Sequence, residues 1–117
     1  VGELYGWRVM NIGNQKKYGL GYERKRKRQL QEQGFTAMRC RGSFGLFDIV
    51  AANRQGWLLE SIKSTKLKNF SLKKELAEVA MFSNAPRGTI KRLIMFHKGK
   101  MKILYEQAIE AESLTNQ

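Results

Sequence analysis

Asp48 and Lys63 are the residues whose types and spacing most suggest chemistry. Asp48 lies in the apolar run Phe47 to Ala52 (FDIVAA) and Lys63 in the run WLLESIKST that follows it, with NRQG between the two. Hydrolysis of a phosphodiester at neutral pH requires three things: charge neutralised on the non-bridging oxygens, a nucleophile made from water, and stabilisation of a leaving alkoxide. Magnesium held by one or two carboxylates supplies much of this while keeping several waters of its own. Asp48 and an inward Glu23 offer oxygen ligands and the backbone carbonyl of Ile62 another, while Lys63 can orient the attacking water and stabilise an anionic transition state. An acid followed fifteen positions later by a lysine also suits an edge strand with outward charges, so spacing alone does not select the catalytic role.

Positioning these groups requires a hairpin and a helix. If Arg54 and Gln55 form the tip of an even-length turn, Asp48 falls opposite Ser61 and shares a face with Lys63. One further residue in the turn, such as a bulge at Gly56, instead sets Asp48 beside Glu60 and Ile62. Both registers remain open from the sequence. Tyr22 to Gln33 (YERKRKRQLQEQ) is built of strong helix formers and is followed by Gly34 where a C-cap glycine belongs. Glu23 precedes Leu30 by close to two helical turns, so a core-facing Leu30 turns Glu23 toward the sheet. Glu23 also suits a plain first-turn acid complementing the helix dipole. The basic run Arg24 to Arg28 wraps too far round a helix to form one solvated stripe, and a phosphate backbone is the natural partner for part of it.

Residues 1–20 are rich in glycine and weakly periodic, and are expected to form an irregular arm with a short strand around Trp7 to Ile12. Residues 21–117 are then expected to form the one folded domain, which would be a nuclease domain if the chemistry above is carried out. Phe35 to Arg41 reads as a strand, broken by GSFG. Ser71 is placed to cap a helix running to about Ser83, with Leu72, Leu76, Val79 and Ala80 on one stripe, and Pro86 and Gly88 stop it. Ile90 to Phe96 and Met101 to Tyr105 form a hairpin around HKGK, distal to the proposed chemistry, so that Lys98→Ala is expected to do little. A short helical tail follows around Gln107 to Leu114. The expected fold is a single α/β domain with a central mixed β-sheet flanked by helices.

The chain has 117 residues, 22 Lys plus Arg against 10 Asp plus Glu, and a formal charge of +12, so a polyanion is the natural partner. One cysteine, Cys40, excludes an intramolecular disulfide and a multi-cysteine zinc site. The single His97 leaves no sensible Cys/His nucleophilic pair. No apolar run is long enough to span a membrane and no signal-peptide pattern is present, which points to an intracellular, cytoplasmic or nucleoid protein without membrane attachment.

Four segments together, GYERK at Gly21 to Lys25, GFTAMRCRGS at Gly34 to Ser43, FDIVA at Phe47 to Ala51 and IKST at Ile62 to Thr65, resemble in order and spacing the archaeal-type Holliday junction resolvases of the PD-(D/E)XK nuclease superfamily. The similarity covers roughly residues 20 to 106. It implies a restriction-endonuclease-like fold and a homodimer that binds a four-way DNA junction and makes paired, symmetric nicks with magnesium or manganese. By position, Glu23 matches the helix acid, Asp48 the metal-binding aspartate and Lys63 the catalytic lysine, with Glu23, Asp48 and the Ile62 carbonyl as metal ligands. Arg39 matches the strand arginine and Ser43 the loop serine. Arg24, Lys25, Arg26, Arg39, Ser43 and Lys66 are the expected DNA contacts, with Lys68, Lys73 and Lys74 adding to them.

Two positions depart from the family pattern. Phe47 replaces a proline, and Ser61 stands where the family places the glutamate of Glu-x-Lys, a second metal carboxylate. Ser61 is compatible with a natural variant whose metal site is rearranged, with an inactivating substitution, and with a non-catalytic junction-binding relative. A nuclease of the same superfamily acting on duplex ends or flaps is a further alternative. Glu60 is adjacent, but successive strand residues face opposite sides, so it reaches the metal only through a bulge or the second register.

Overall fold

The computed structural model describes residues 10–40, 45–67 and 70–110, with side chains described from Gly21 onward. Helix α1 (Met10–Glu32) leads into β1 (Thr36–Arg39), β2 (Ile49–Asn53) and β3 (Gly56–Thr65); α2 (Lys73–Met81) then crosses to β4 (Ile90–His97) and β5 (Lys100–Ala108). The strands form one sheet in sequential order β1 to β5. All neighbours are antiparallel except β3 and β4, which run parallel, as a helical crossover requires. The expected α/β domain with a mixed sheet flanked by helices is therefore what the chain forms.

Helix α1 begins at Met10, well inside the segment expected to be an irregular arm, and it runs through Gly13, Gly19 and Gly21. Residues 10–12 are thus helical rather than part of a strand, and the rest of that strand expectation lies outside the described residues. The helix ends as expected at Gly34, whose φ of +97° only glycine adopts readily. The Phe35 amide bonds back to the Leu30 carbonyl and the Gly34 amide to that of Gln31. This is a Schellman ending, and Phe35 packs against the cluster that contains Leu30.

The sheet separates two apolar clusters. On the α1 side Leu30 packs with Ile49, Leu58, Ile94 and Phe96, and Tyr22 stacks on Phe96 at 4.5 Å between centroids. On the other side Val79 of α2 packs with Phe47, Leu59 and Leu93. Ser71 does not cap α2: its N-cap is Leu72, without a side-chain cap bond. The far end of that helix is closed by a buried lysine. Lys91 Nζ donates to the carbonyls of Ala80 at 2.6 Å and Phe82 at 2.8 Å, satisfying orphan acceptors of the last turn. Burial pulls the Lys91 pKa down from its ordinary value. β5 extends to Ala108, so the tail expected to be helical from Gln107 begins as strand; residues beyond 110 lie outside the described ones.

Candidate active site

The turn between β2 and β3 settles the register. Asn53 pairs with Gly56, leaving Arg54 and Gln55 as a two-residue loop, and Ile49 pairs with Glu60. Asn53 Oδ1 accepts the Gln55 amide at 2.8 Å, the Asx bond that favours such turns. The even two-residue turn is thus the first of the two open from sequence, but the ladder stops at Ile49 and Glu60, and Asp48 bonds to Glu60 and Ile62 rather than continuing as a plain partner of Ser61.

β3 outruns β2 by five residues, 61 to 65, and this overhang makes a notch in the sheet. Asp48 fills its corner and is fixed from both sides. Its amide donates to the Glu60 carbonyl at 2.9 Å, its carbonyl accepts the Cys40 amide at 2.8 Å, and its Oδ2 accepts the Ile62 amide at 2.7 Å. A side-chain oxygen thus replaces the missing strand partner of β3, and Asp48 Oδ1 makes no hydrogen bond among the described residues. Glu23 approaches from α1 and Lys63 from the strand.

Electrostatics tie these groups into one environment. The Glu23 carboxyl titrates above its ordinary value because it is partly buried and faces the Asp48 charge, effects that outweigh Arg39 and Lys63. Arg39 Nε stands 3.5 Å from Glu23 Oε1. Asp48 is also raised, by burial, against the pull of the Ile62 amide and Lys63. The Cys40 thiol is pushed up by burial and by the charges of Asp48 and Glu23, which puts it at the edge of the same site. Sequence reasoning gave Cys40 no such place; its only signal was its nearness to Asp48 in the β1 to β2 connection.

Glu60 does not substitute for the missing carboxylate. It is fully buried on the opposite face from Ser61, in a bidentate pair with Arg26 (Nε to Oε1 2.7 Å, Nη2 to Oε2 2.9 Å). Arg92 Nη1 adds a bond to Oε2 at 3.0 Å, and its Nε continues to Glu106 at 2.6 Å. The ion-pair chain joins α1, β3, β4 and β5 across the α1 face. Arg26 is thereby removed from the expected DNA contacts, since it is only 3% exposed and its guanidinium is spent on Glu60. Its place was legible: Arg26 follows Glu23 by three residues and precedes Leu30 by four, on the same helical stripe.

Ser61 is completely buried, and its Oγ has no hydrogen-bond partner. Among the described residues only Thr89 Oγ1 is a second buried side-chain polar atom left in this way. Among the described residues no cluster of three or more His, Cys, Asp or Glu could hold a metal ion. The oxygens of Asp48 and Glu23 and the Ile62 carbonyl are of the hard type that magnesium takes, and that ion needs only one or two protein carboxylates. Arg24, Lys25 and Lys66 lie at the same end of the molecule as Glu23 and the end of β3, and Lys25 Nζ sits 5.8 Å above the Phe96 ring. Ser43 and Lys68 lie outside the described residues.

A five-stranded mixed sheet, one helix on each face and a carboxylate-lysine notch in the central strand define an α/β fold of the Hjc type. The solved structure of the Holliday junction resolvase Hjc from Archaeoglobus fulgidus, an archaeal hyperthermophile, matches with a TM-score of 0.55 at 26% identity, covering 70% of this chain and 71% of that one. The family model for archaeal Holliday junction resolvase (Hjc) matches residues 14–116. The chain belongs to that family. No curated protein matches it, and no helix among the described residues is long and apolar enough to cross a membrane.

Proposed function

We propose that this protein is a structure-selective DNA endonuclease that binds four-way junctions and hydrolyses phosphodiesters in the notch beside β3. The observation that carries this reading is the clamped Asp48: its Oδ2 is committed to the Ile62 amide, and its charge is felt by Glu23 and feels that of Lys63. A magnesium or manganese ion bound there would neutralise phosphate charge and lower the pKa of a bound water. Asp48, Glu23 and the Ile62 carbonyl would hold that ion. Lys63 contributes a fixed positive charge where the transition state becomes anionic, on a strand that cannot shift without breaking the sheet. Arg24, Lys25, Arg39, Ser43 and Lys66 bind phosphates around the site. Paired, symmetric nicks need two copies of the notch, so the acting species is a homodimer.

Affinity for a four-way junction, titrated beside a duplex of equal length at fixed salt, tests the substrate class. Tighter junction binding is expected; equal affinity rejects junction selectivity and leaves a nuclease acting on duplex ends or flaps. The orphaned Ser61 Oγ favours a second reading, a junction-binding protein that does not cut. Cleavage assays with manganese on the parent and on Ser61→Glu decide between them. Cutting by the parent supports the nuclease; an inactive parent establishes the binding-only protein, and cutting by Ser61→Glu alone then shows a latent nuclease site in it.

A further inference from the structure

The β4–β5 hairpin, distal in the sequence, stands beside the site in space. Because β3 and β4 are parallel, both reach the same end of the sheet, and Thr65 pairs with His97, which pairs with Lys100. One step back, Lys63 pairs with Met95, which pairs with Lys102. Cross-strand partners point to the same face, so Lys100 and Lys102 project to the Lys63 side of the sheet, two strands or about 10 Å away. Lys98, Lys100 and Lys102 are all exposed, and none pairs with an acid among the described residues. The base of the hairpin is tied to the segment leaving β3. His97 Nε2 lies 2.7 Å from the Leu67 carbonyl, and its ring packs on Phe70 at 5.5 Å.

Lys98 adds an independent observation. It is the only described non-glycine residue with positive φ, at +53°, and Gly99 follows at +81°. Two-residue hairpins with positive φ at both central positions ordinarily take Asn, Asp or Gly there, and a long side chain in this conformation is strained. A strained residue at an exposed loop tip motivates a functional reading of its side chain.

We propose that Lys98, Lys100 and Lys102 form a second phosphate-binding surface, which grips the sugar-phosphate backbone of a DNA arm leaving the notch. This rests on the DNA-binding reading above, but it is tested separately. The salt dependence of DNA affinity counts the phosphates a protein neutralises, at about 0.9 in the log-log slope for each phosphate on duplex DNA. The experiment is fluorescence anisotropy of the intact protein on a four-way junction and on a duplex, at several potassium chloride concentrations. It compares the parent, the triple variant Lys98→Gln/Lys100→Gln/Lys102→Gln, and Arg54→Gln at the opposite tip of the sheet as a charge control. The triple variant is expected to reduce the slope by about 2 to 3 on DNA of either shape, and Arg54→Gln to leave it unchanged. An unchanged slope in the triple variant, or an equal fall per charge removed in Arg54→Gln, overturns the proposal. Loss of junction preference in the parent would reject only the substrate class, because the slope is read on the duplex as well. Lys98→Gly guards against misfolding. It relieves the positive φ, so its melting temperature should rise while its slope falls by about 0.9, and a slope equal to the parent's removes Lys98 from the surface.

Discussion

Replacing Glu60 by leucine should be among the most destabilising single changes in this protein, although the side chain is no part of the proposed chemistry. The carboxylate is completely buried and carries three charged hydrogen bonds, two from Arg26 and one from Arg92. Arg92 keeps Glu106 when Glu60 is lost. Arg26 does not fare as well: its remaining partner is Gln29 Oε1 at 3.1 Å, which leaves a guanidinium with 3% exposure and no counter-charge. Removing one member of a buried pair costs about 3–5 kcal/mol, against the roughly 5–15 kcal/mol that holds a domain together. The double variant Arg26→Leu/Glu60→Leu removes both charges and leaves apolar side chains facing each other. Such replacements are neutral or stabilising by about 1–4 kcal/mol, so the second change should restore what the first removed. Urea unfolding followed by far-ultraviolet circular dichroism on the parent, both single variants and the double closes the cycle, with an expected coupling above about 3 kcal/mol. Additive effects, or a loss below about 1 kcal/mol in Glu60→Leu, would refute the claim that the pair acts as one unit.

Other expectations concern the notch. Asp48→Asn should abolish metal-dependent cleavage while leaving junction affinity within a few-fold, measured by nicking and anisotropy on the same preparation; retained cleavage would remove Asp48 from the site. The raised pKa values of Asp48 and Glu23 make their charged forms costly in the folded state. A carboxyl whose folded pKa exceeds its unfolded value loses stability as pH rises between the two, so the penalty is fully present above the raised folded pKa and disappears below the unfolded value. Asp48→Asn should therefore melt higher than the parent at pH 7, with the gap narrowing as the pH falls through the raised pKa. Cleavage should fail on acidification at a higher pH than an ordinary aspartate would impose. Ser61→Glu should tighten manganese binding, followed by electron paramagnetic resonance, at a cost in stability from enlarging a completely buried side chain.

Much of this is legible in the chain. The NRQG turn, taken with two central residues, sets Asn53 against Gly56 and Ile49 against Glu60, and the structure adopts that pairing. Gly34 marks the end of α1 because the Schellman ending needs a residue at positive φ. The start of α1 is hidden, since glycines at 13, 19 and 21 argue against a helix that forms nonetheless. Arg26 looks like a phosphate ligand when charge is weighed ahead of helical position, and its true partner stands 34 residues away. The hairpin at Lys98 looks remote for a related reason. Distance along the chain says nothing about which end of a sheet a strand reaches; the α2 crossover, which forces β4 parallel to β3, does.

The alternation of β3 also limits how this protein can evolve. Leu58, Glu60 and Ile62 serve the α1 side, while Ser61 and Lys63 alternate to the opposite face. Glutamate is already encoded one codon away from the vacant carboxylate position, yet no insertion or deletion can deliver it. A one-residue slip that moved Glu60 onto that face would carry Lys63 off it and strand Arg26 without its partner. A carboxylate on that face of β3 therefore comes only from changing the side chain at Ser61 itself, where the backbone is already in place to receive it.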